Sequence, residues 1–584
     1  MTVVHDLIDE FQALSSGRSR WEAYWRQVSA WVLPQTDEFN AMFAQASSSN
    51  AVGAVTGTPV ASERAKHVYD MTSLWGIDRL TAGLISLKTP ESDYWHDLGA
   101  DNDFGYEATQ EEIVALERLR NYLFKIRGNP NSGFWPAHKA AVKSMCAFGD
   151  GWLYIKEEQG SRVPFSYEFI PLPEVYPGVS VKGRPNRMFR PFYWSAYQVR
   201  SQFGEAAGSK ITEMANDAKR KHDRIRVMHA VRPRDDALRV KMGLRGAEFS
   251  SYYILPDEEH LIGEGGYWEF PFSRYAWSNI GQKPYSEGPV AYAIAEIQSI
   301  NAMARDELIA VQQQLRPPLA VHGKNFTRIN FNPGAPNPGL INGAGQALFA
   351  PLTQGQRPDF AQAIMESRRA GLRESLYLNL WQILIADVQA GPETATEAML
   401  RAQEKGEMLG PVGISMNEGL SQNVDREVGI LNRKQAFAAG SPLAMPDSLA
   451  DAEVAPAFTS PLDRLRQVGQ VIGAQRTLEF AMVLEQLKPG IIARLDADEM
   501  LELAQQVYGA PASILKGRDV GQEAMAQRAL MSQTAETLAA AEGAGNAAQS
   551  AGAGMQELAL GTEALQKAPA IQRALQQQQP RRAA

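Results

Sequence analysis

The sequence contains a single cysteine, Cys146, among 584 residues. One thiol cannot close an intramolecular disulfide, and it leaves no basis for a zinc cluster or a two-thiol redox centre. The disulfide-stapled scaffolds of small secreted proteins are therefore excluded. Because Cys146 lies among apolar residues in MCAFGDGWLYI, we expect it to be buried and unreactive rather than nucleophilic.

Long hydrophobic runs and an excess of basic residues are also lacking. No apolar stretch approaches the ~20 residues that span a bilayer, and the opening MTVVHDLIDEFQ carries acids where a signal peptide has a basic start. We therefore expect a protein of cytosol-like conditions with no membrane insertion. The formal net charge of -8 argues against tight coating of DNA, which needs many cations facing phosphates, but it leaves sliding contact with DNA open.

Familiar catalytic motifs are missing. We find no Walker loop, no HExxH and no GxSxG, and the eight histidines never come at ligand spacing. The acid pairs Asp101 with Asp103 and Asp496 with Asp498 could hold Mg²⁺ in a nuclease, but each lies where a helix could begin, so we interpret them as helix caps. A metal site or triad assembled from distant positions is the alternative. We predict no catalytic residue, no metal and no cofactor.

The patterns that are present predict an α+β fold that is predominantly α-helical. Up to about Gly288, helical stretches alternate with short aromatic strands. We expect the first ordered element to be a helix that packs one aromatic face into a core, with an exposed partner-binding face as the alternative. That face consists of Trp21, Tyr24, Trp25, Val28, Trp31 and Val32.

A long helix is predicted from Pro289 to Leu315, because apolar residues recur at alternating spacings of four and three with the polar Asn301 inside the seam. The following segment, up to Pro358, is dense in Pro, Gly and Asn and contains only short strand-like runs. A second long helix is expected from about Asp359 to Ile385. Two helices that bracket a small β-containing excursion form a stalk with a module at its tip.

The rest of the chain is predicted to be mainly helical. A Gly-Pro break from Val388 to Thr394 precedes a third helical run, in which Pro411 indicates a kink. A strand begins at Val454, and helices follow from Leu462 to about Ala535. The Ala/Gly/Gln-rich tail fits either a low-complexity helix or a disordered segment.

Basic clusters are few. The segment KRKHDRIR from Lys219 is interpreted as the solvated end of a helix that leads into a strand, with contact to DNA or a neighbouring subunit as the alternative. Arg368, Arg369 and Arg373 lie on the second stalk helix. We expect them to face acidic residues of an adjacent helix, with a DNA channel as the alternative.

Six segments occur in an order that resembles the head-to-tail connector, or portal protein, of short-tailed double-stranded-DNA bacteriophages. Together they cover roughly residues 15 to 535. They are WEAYWRQVSAWVLP from Trp21, LTAGLISLKTPESDYWHDL from Leu80, AFGDGWLYI from Ala147, FPFSRYAWSNIGQKPYSEGPVAYAIAEIQSIN from Phe270, TATEAMLRAQEKGEMLGPV from Thr394 and FTSPLDRLRQ from Phe458.

The resemblance implies a structural protein rather than an enzyme. Members form a dodecameric ring at one capsid vertex of the virion, assembled in the host cytoplasm, through which DNA is packaged and ejected. The implied partners are other copies of the chain, the terminase large subunit, tail adaptor proteins, major capsid and scaffolding proteins, and the double-stranded DNA that passes through the channel.

The family plan also divides the chain. It implies a wing at 1–288, a first stem helix at 289–315, a clip at 316–358, a second stem helix at 359–387, a tunnel loop at 388–394, a kinked tunnel helix that returns to the wing at 395–490, and a helical crown with the low-complexity tail at 491–584.

Three groups of candidate residues follow from this plan. The stem-packing residues are Val290, Ile294, Ile297, Leu308 and Val311. The clip docking residues are Lys324, Arg328 and Arg357. The tunnel-loop and DNA-channel residues are Asp387, Gln389, Glu393 and Thr394, which we expect to form a non-sticking or DNA-retaining collar, with an ordinary surface turn as the alternative.

Two other classes of protein remain open at this point. One is a DNA-acting enzyme, either a nuclease or a terminase subunit, and the other is a different ring-forming structural protein of the tail. A ring would sediment near the megadalton range, whereas a nuclease would be a small oligomer with metal-dependent cleavage. A different tail ring should lack the order of stem, clip and stem.

Overall fold

A computed structural model describes most of the chain, and the contacts divide it into two units, 1–509 and 510–584. Only Met531 is described in the second unit, so the account below concerns the first. The described ranges are 2–34, 65–101, 109–234, 246–278, 283–315, 318–321, 340–341, 343–344, 346–351, 358–378, 395–438, 440–449 and 453–485, with scattered positions beyond.

The described residues before Pro289, which we call the wing, contain seven α-helices. They are α1 (Thr2–Ser16), α2 (Ser19–Trp31), α3 (Thr72–Lys88), α4 (Gln110–Arg127), α5 (Phe134–Phe148), α6 (Ala196–Phe203) and α7 (Ser209–Asn216). The core interpretation of the aromatic helix is confirmed, because Trp25 and Val28 of α2 and Val32 directly after it are fully buried. The expectation that α2 is the first ordered element is wrong, since α1 precedes it.

Helix α1 is held by the surface of a sheet rather than by strong local signals. Val4 and Leu7 are buried in one apolar cluster with Tyr176 and Phe189 of that sheet. Amphipathic packing against a sheet stabilises a helix whose own sequence carries few start signals, which explains why sequence patterns missed it.

Antiparallel sheets form the β part of the fold, so the α+β class is confirmed. A five-stranded meander runs in the order β4-β5-β6-β7-β8, and a three-stranded sheet runs in the order β3-β2-β9. Strand β1 (His96–Asp101) pairs with β12 (Glu453–Phe458), which brings distant parts of the chain together. The other strands are β2 (Asp150–Glu157), β3 (Phe165–Ile170), β4 (Tyr176–Val179), β5 (Pro185–Ser195), β6 (Arg224–Pro233), β7 (Phe249–Leu255), β8 (His260–Tyr267), β9 (Phe272–Ala276), β10 (Leu319–Val321) and β11 (Phe349–Pro351).

The turn from α5 into β2 requires glycine at two positions. Gly149 has φ +102°, a left-handed conformation that a side chain disfavours. A Cβ on Gly151 would lie 1.9 Å from the carbonyl oxygen of Ala141. The chain therefore passes from α5 into β2 through a turn that leaves no room for a side chain at Gly151 and disfavours one at Gly149.

The predicted stalk is visible as two antiparallel helices. Helix α8 (Pro289–Leu315) has the predicted bounds, and α9 (Pro358–Ser375) follows the excursion. Their direction follows from two contacts, because Gln362 bonds Glu307 whereas Arg368, further along α9, bonds Glu296, further back along α8. Between the helices, β10 and β11 pair antiparallel.

The second helix is shorter than predicted. Its regular part ends at Ser375 instead of continuing to Ile385, and Tyr377 adopts a left-handed φ of 59°. The flanking Leu376 and Leu378 turn inward and are buried. The helix therefore ends here because the chain turns to bury these two leucines. Residues 379–387 lie outside the described residues.

The third helical run is confirmed as α10 (Ala395–Arg433), a 39-residue helix with Pro411 inside it. It is followed by β12 and by α11 (Pro461–Glu485). Within the main apolar core, α10 contributes Met416, Leu420 and Val424, all fully buried. The long helix therefore passes through the wing core instead of lying on its surface.

The capping interpretation of the acid pairs is half right. Asp496 Oδ1 accepts a hydrogen bond from the Glu499 backbone N–H at 3.2 Å, as a helix cap does. Asp101 instead ends β1 opposite Glu453, and α4 is capped by Thr109. Asp101 is part of a strand because it pairs with a segment some 350 residues away in the chain. The local sequence gives no indication of that pairing. Asp103 and Asp498 lie outside the described residues.

Candidate functional site

The base of the stalk is fixed by the polar residue in the heptad seam. Asn301 is buried. Its Oδ1 accepts hydrogen bonds from the backbone N–H groups of Tyr69 at 2.6 Å and Asp70 at 3.2 Å, and its Nδ2 donates to the carbonyl of His67 at 2.8 Å. One side chain thereby bonds three backbone groups, one buried and two partly buried, and it holds the segment that leads into α3 against α8.

The same segment is held from the other side by α9. Arg369 forms an ion pair with Asp70 at 2.7 Å, and Asp70 Oδ1 also accepts the backbone N–H of Thr72 at the start of α3. Burial works in the opposite direction, but the hydrogen bonds from Thr72 and the charge of Arg369 hold the pKa of Asp70 below its usual value. Both stalk helices are therefore tied to the wing through the same four-residue segment.

The three arginines of α9 form ion pairs with acidic residues of the same chain. Arg368 pairs with Glu296 of α8 at 2.9 Å, Arg369 pairs with Asp70, and Arg373 pairs with Glu366 on α9 itself at 2.8 Å. The expectation that these side chains face acidic residues of an adjacent helix is confirmed for Arg368 alone, because Asp70 lies in the segment before α3 and Glu366 lies on α9 itself.

The apolar seam of α8 divides into a covered base and an uncovered tip. Val290 and Ile297 are buried against the wing, and Ile294 packs at the edge of the same core. Leu308 and Val311, in contrast, are 51% and 37% exposed. All five stem-packing candidates therefore lie on α8, but two of them have no cover from their own chain within the part that the structure describes.

The exposed tip continues the face that is buried at the base. Leu308, Val311 and Leu315 follow Ile297 and Ala304 at steps of three, four and seven residues, which return to the same side of an α-helix. Leu315 is 78% exposed. The tip is thus an apolar stripe, which we call the distal stripe (Leu308, Val311, Leu315).

The wing end of α10 is anchored by buried charges. Glu427 is fully buried and pairs with Arg127 of α4 at 2.7 Å, and it also accepts the hydroxyl of Tyr167. Arg127 Nη1 contacts His96 Nε2 at 2.6 Å. Burial, together with the positive charge of Arg127, holds the pKa of His96 well below its usual value, so the ring is neutral and Nε2 accepts. This network joins α10, α4, β1 and β3.

A second group of charges and a close backbone approach hold the same helix. Glu269 pairs with Arg426 at 2.7 Å and with Arg433 at 2.6 Å. On the neighbouring turns, a Cβ on Gly419 would lie 2.2 Å from the carbonyl oxygen of Arg274 in β9. Helix α10 therefore contacts the three-stranded sheet at backbone distance, which only glycine permits.

The start of α8 is fixed to the sheet by a further buried pair. Asp150 accepts Arg274 Nε at 2.6 Å and the backbone N–H of Ser286 at 2.6 Å. Elsewhere Cys146 is buried as expected, and burial raises the pKa of its thiol to about 12. This cysteine therefore does not act as a nucleophile.

The remaining candidates fall on undescribed parts of the chain. The clip residues Lys324, Arg328 and Arg357 and the tunnel-loop residues Asp387, Gln389, Glu393 and Thr394 all lie outside the described residues. In the part of the chain that is described, no group of three or more metal-ligating side chains comes together. The helices described here include none that is long and apolar enough to span a bilayer.

The buried anchors were the features that sequence reasoning missed. Arg127 and Glu427 are 300 positions apart, and neither stands in a motif. Arg18 is fully buried, and its guanidinium carbon lies 4.0 Å from the ring centre of Tyr176. It donates hydrogen bonds to the carbonyls of Leu172 and Val175. Nothing in the surrounding sequence distinguishes it from a surface arginine. Among these anchors, Asn301 alone could be singled out from the sequence, because it is a polar residue inside an apolar heptad seam.

The described residues therefore combine an α+β body, a stalk of two antiparallel helices with a small strand pair between them in sequence, and a long helix that passes through the main core. A sequence profile described as "Bacteriophage head to tail connecting protein" matches residues 4–515, and the chain belongs to that family. It is 23% identical over 560 residues to the probable portal protein of Bordetella phage BPP-1, covering 91% of this chain and 94% of the relative. It is 21% identical over 553 residues to the portal protein of Salmonella phage epsilon15, covering 93% and 94%. The role of the chain is that of a structural portal or connector, and the interpretation as an enzyme finds no support.

Proposed function

We propose that this chain assembles into a closed ring, a dodecamer by resemblance to its family, that forms the DNA channel at one vertex of the virion. The observation that carries the proposal is the distal stripe, an apolar surface that continues a buried seam. Apolar surface of this kind is stabilised when another chain covers it. A contact between two different faces of neighbouring copies, repeated with a fixed rotation, closes into a ring when that rotation is a whole fraction of a full turn.

The charge of the chain suits a channel through which DNA slides. Each copy carries a net charge of -8, which a ring multiplies. A conduit that held phosphates tightly would have to break those contacts at every step, whereas a neutral or acidic lumen repels the DNA backbone and permits movement. The energy for packaging is then supplied by a partner ATPase, in our proposal the terminase large subunit.

The clip and the tunnel loop complete the proposal. We assign Lys324, Arg328 and Arg357 to a docking surface for the terminase and afterwards for tail adaptor proteins. Asp387, Gln389, Glu393 and Thr394 are assigned to a collar that borders the DNA. The wing is assigned to contact with the major capsid and scaffolding proteins during assembly in the host cytoplasm.

Charge substitution on the distal stripe tests ring formation. We expect the double variant Leu308→Asp and Val311→Asp to remain folded, because both positions are exposed in the single chain, but to lose the ring. Sedimentation velocity should then show monomers or small oligomers in place of a megadalton species. Ile297→Asp is a poorer test, because Ile297 is 4% exposed and its substitution disturbs the chain itself.

The control is Tyr197→Asp on α6, which also replaces an exposed apolar side chain, 60% accessible, but lies off the stalk. It should leave the ring intact. Unchanged rings in the double variant, with circular dichroism like that of the parent protein, would refute the assignment of the stripe as an assembly surface.

A further inference from the structure

The turn between α7 and β6 carries positive charges that the described residues do not balance. Lys219 and Arg220 are exposed, and Lys221 is partly exposed. Arg220 pairs with Asp223 at 3.5 Å, but neither lysine forms an ion pair among the described residues. Asp217, the other acid of the turn, accepts the backbone N–H of Lys219 through Oδ1 at 2.9 Å. The turn therefore presents a net positive charge to the solvent.

An exposed aromatic ring lies directly beside this turn. The backbone N–H of Tyr197, near the start of α6, donates to the Lys221 carbonyl at 3.1 Å, and the tyrosine is 60% exposed. One helical turn further along α6, Arg200 donates to the neutral side chain of Asn216, and it forms no ion pair among the described residues. We call this surface the α6 patch (Tyr197, Arg200, Lys219, Lys221).

The backbone holds the α6 patch in one arrangement. The N–H groups of Arg220 and Lys221 donate to the Asp217 carbonyl at 3.1 Å and 2.9 Å, and the Ala196 N–H donates to the Asp223 carbonyl at 3.1 Å. Helices α6 and α7 pack with β5 and β6 in an apolar cluster that is separate from the main core of α8 and α10. A surface fixed in this way loses less conformational entropy when it binds a partner.

The composition of the α6 patch distinguishes between two kinds of anionic partner. Duplex DNA carries one charge about every 1.7 Å of its axis, and tight binding engages many cations at once. The patch has few cations, and the carboxylates of Asp217 and Asp223 alternate with them along the turn. An acidic protein segment needs only two or three carboxylates to match it, and Tyr and Arg are enriched in protein–protein interfaces. A protein partner therefore fits better than nucleic acid.

We propose that the α6 patch is a docking surface for an acidic segment of a partner protein, in which carboxylates flank an apolar side chain. The carboxylates pair with Arg200, Lys219 and Lys221, and the apolar side chain lies against the ring of Tyr197. Complementary charges of this kind raise the association rate and weaken with salt. The proposal does not depend on the distal stripe, because the patch belongs to a separate apolar cluster.

Fluorescence anisotropy on the full-length protein tests the patch with a labelled acidic peptide, Glu-Asp-Glu-Leu-Glu-Asp-Glu. We expect saturable binding at low salt that weakens about tenfold in the double variant Lys219→Glu and Lys221→Glu and about threefold in Tyr197→Ala. The matched control, Lys66→Glu with Lys182→Glu, reverses two other exposed lysines of the wing. It changes the net charge equally and should bind the peptide as the parent protein does.

A labelled duplex DNA is the second probe, and it should bind more weakly than the peptide at equal salt. Tighter binding of the duplex, lost in the Lys219→Glu and Lys221→Glu variant, would overturn the proposal in favour of nucleic acid. Absence of saturable peptide binding, or equal weakening in the control, would refute the patch as a docking surface. We expect sedimentation of this variant to match the parent protein. Loss of its ring would instead make the patch a contact between copies and would also overturn the proposal.

Discussion

At the residue scale, Asn301 shows how one side chain joins the stalk to the wing. Its three hydrogen bonds reach residues that are more than 230 positions away in sequence. Truncation of the side chain removes the partner of the buried Asp70 N–H and of the partly buried Tyr69 N–H and His67 carbonyl. An unpartnered buried group costs about 1–3 kcal/mol, and a group that water reaches costs less.

We therefore expect Asn301→Ala to lower the thermal midpoint by several degrees, which differential scanning calorimetry can measure. Ser299→Ala provides the control on the same helix, because Ser299 is exposed and bonds only the Ala295 carbonyl of its own helix. Equal midpoints for the two variants would contradict the anchoring role of Asn301.

The ion pair between Asp70 and Arg369 makes a pH-dependent contribution. Because the pKa of Asp70 is lower in the folded protein than in the unfolded chain, where it is about 3.9, the contribution is complete above that value and is lost as the pH falls towards the folded pKa. Asp70→Asn should thus lower the thermal midpoint at pH 7, and the difference from the parent protein should shrink below about pH 4. A difference that is constant with pH would rule out this origin.

At the element scale, the sequence predicted those helices and strands whose bounds depend on local periodicity and on proline. The bounds of α8 follow from heptad spacing and from the prolines at its end, and α10 and β12 were also located. The end of α9 and the existence of α1 were not, because burial of Leu376 and Leu378 and contact with a sheet decide them. The pairs that anchor α10 lie hundreds of positions apart, so no local pattern contains them.

The close approach of α10 to β9 gives a matched pair of glycine substitutions. Gly419→Ala introduces a methyl group 2.2 Å from a backbone oxygen, and we expect it to destabilise the protein by about 1–3 kcal/mol because the helix has to move. Gly473→Ala on α11, where no atom lies within 4 Å, should be neutral or stabilise by up to about 1 kcal/mol. Thermal unfolding and limited proteolysis of both variants would reveal the contrast, and equal behaviour would count against the packing of α10 described above.

At the scale of the whole molecule, three histidines are buried in separate parts of the wing. Burial lowers the pKa of His138 to about 3 and that of His229 to about 3, and it lowers the pKa of His96 as well. In the unfolded chain each histidine has a pKa of about 6.5. The contribution of these histidines to stability is therefore complete above about pH 6.5 and is lost as the pH falls from there towards 3.

For His138 and for His229, whose folded pKa lies below pH 5, the loss at pH 5 is about 2 kcal/mol, since 1.5 pH units separate that pH from the unfolded pKa. We expect the thermal midpoint to fall steadily between pH 6.5 and 4. The double variant His138→Gln and His229→Gln should be less stable at neutral pH but should show a flatter dependence. A parallel slope in parent and variant would show that other groups cause the acid sensitivity.

The division of α8 into a covered base and an exposed tip also bears on how the chain can change over evolutionary time. A substitution at Val290 or Ile297 affects only contacts within one chain, so changes in neighbouring residues of the same core can compensate for it. Substitutions in the distal stripe are felt, in the proposed ring, by every copy at once, so one mutation alters all the subunit contacts together. We therefore expect substitutions at the tip of α8 to be rare and to have large effects on assembly. Substitutions at its base should be small and should be compensated by neighbouring residues in the core.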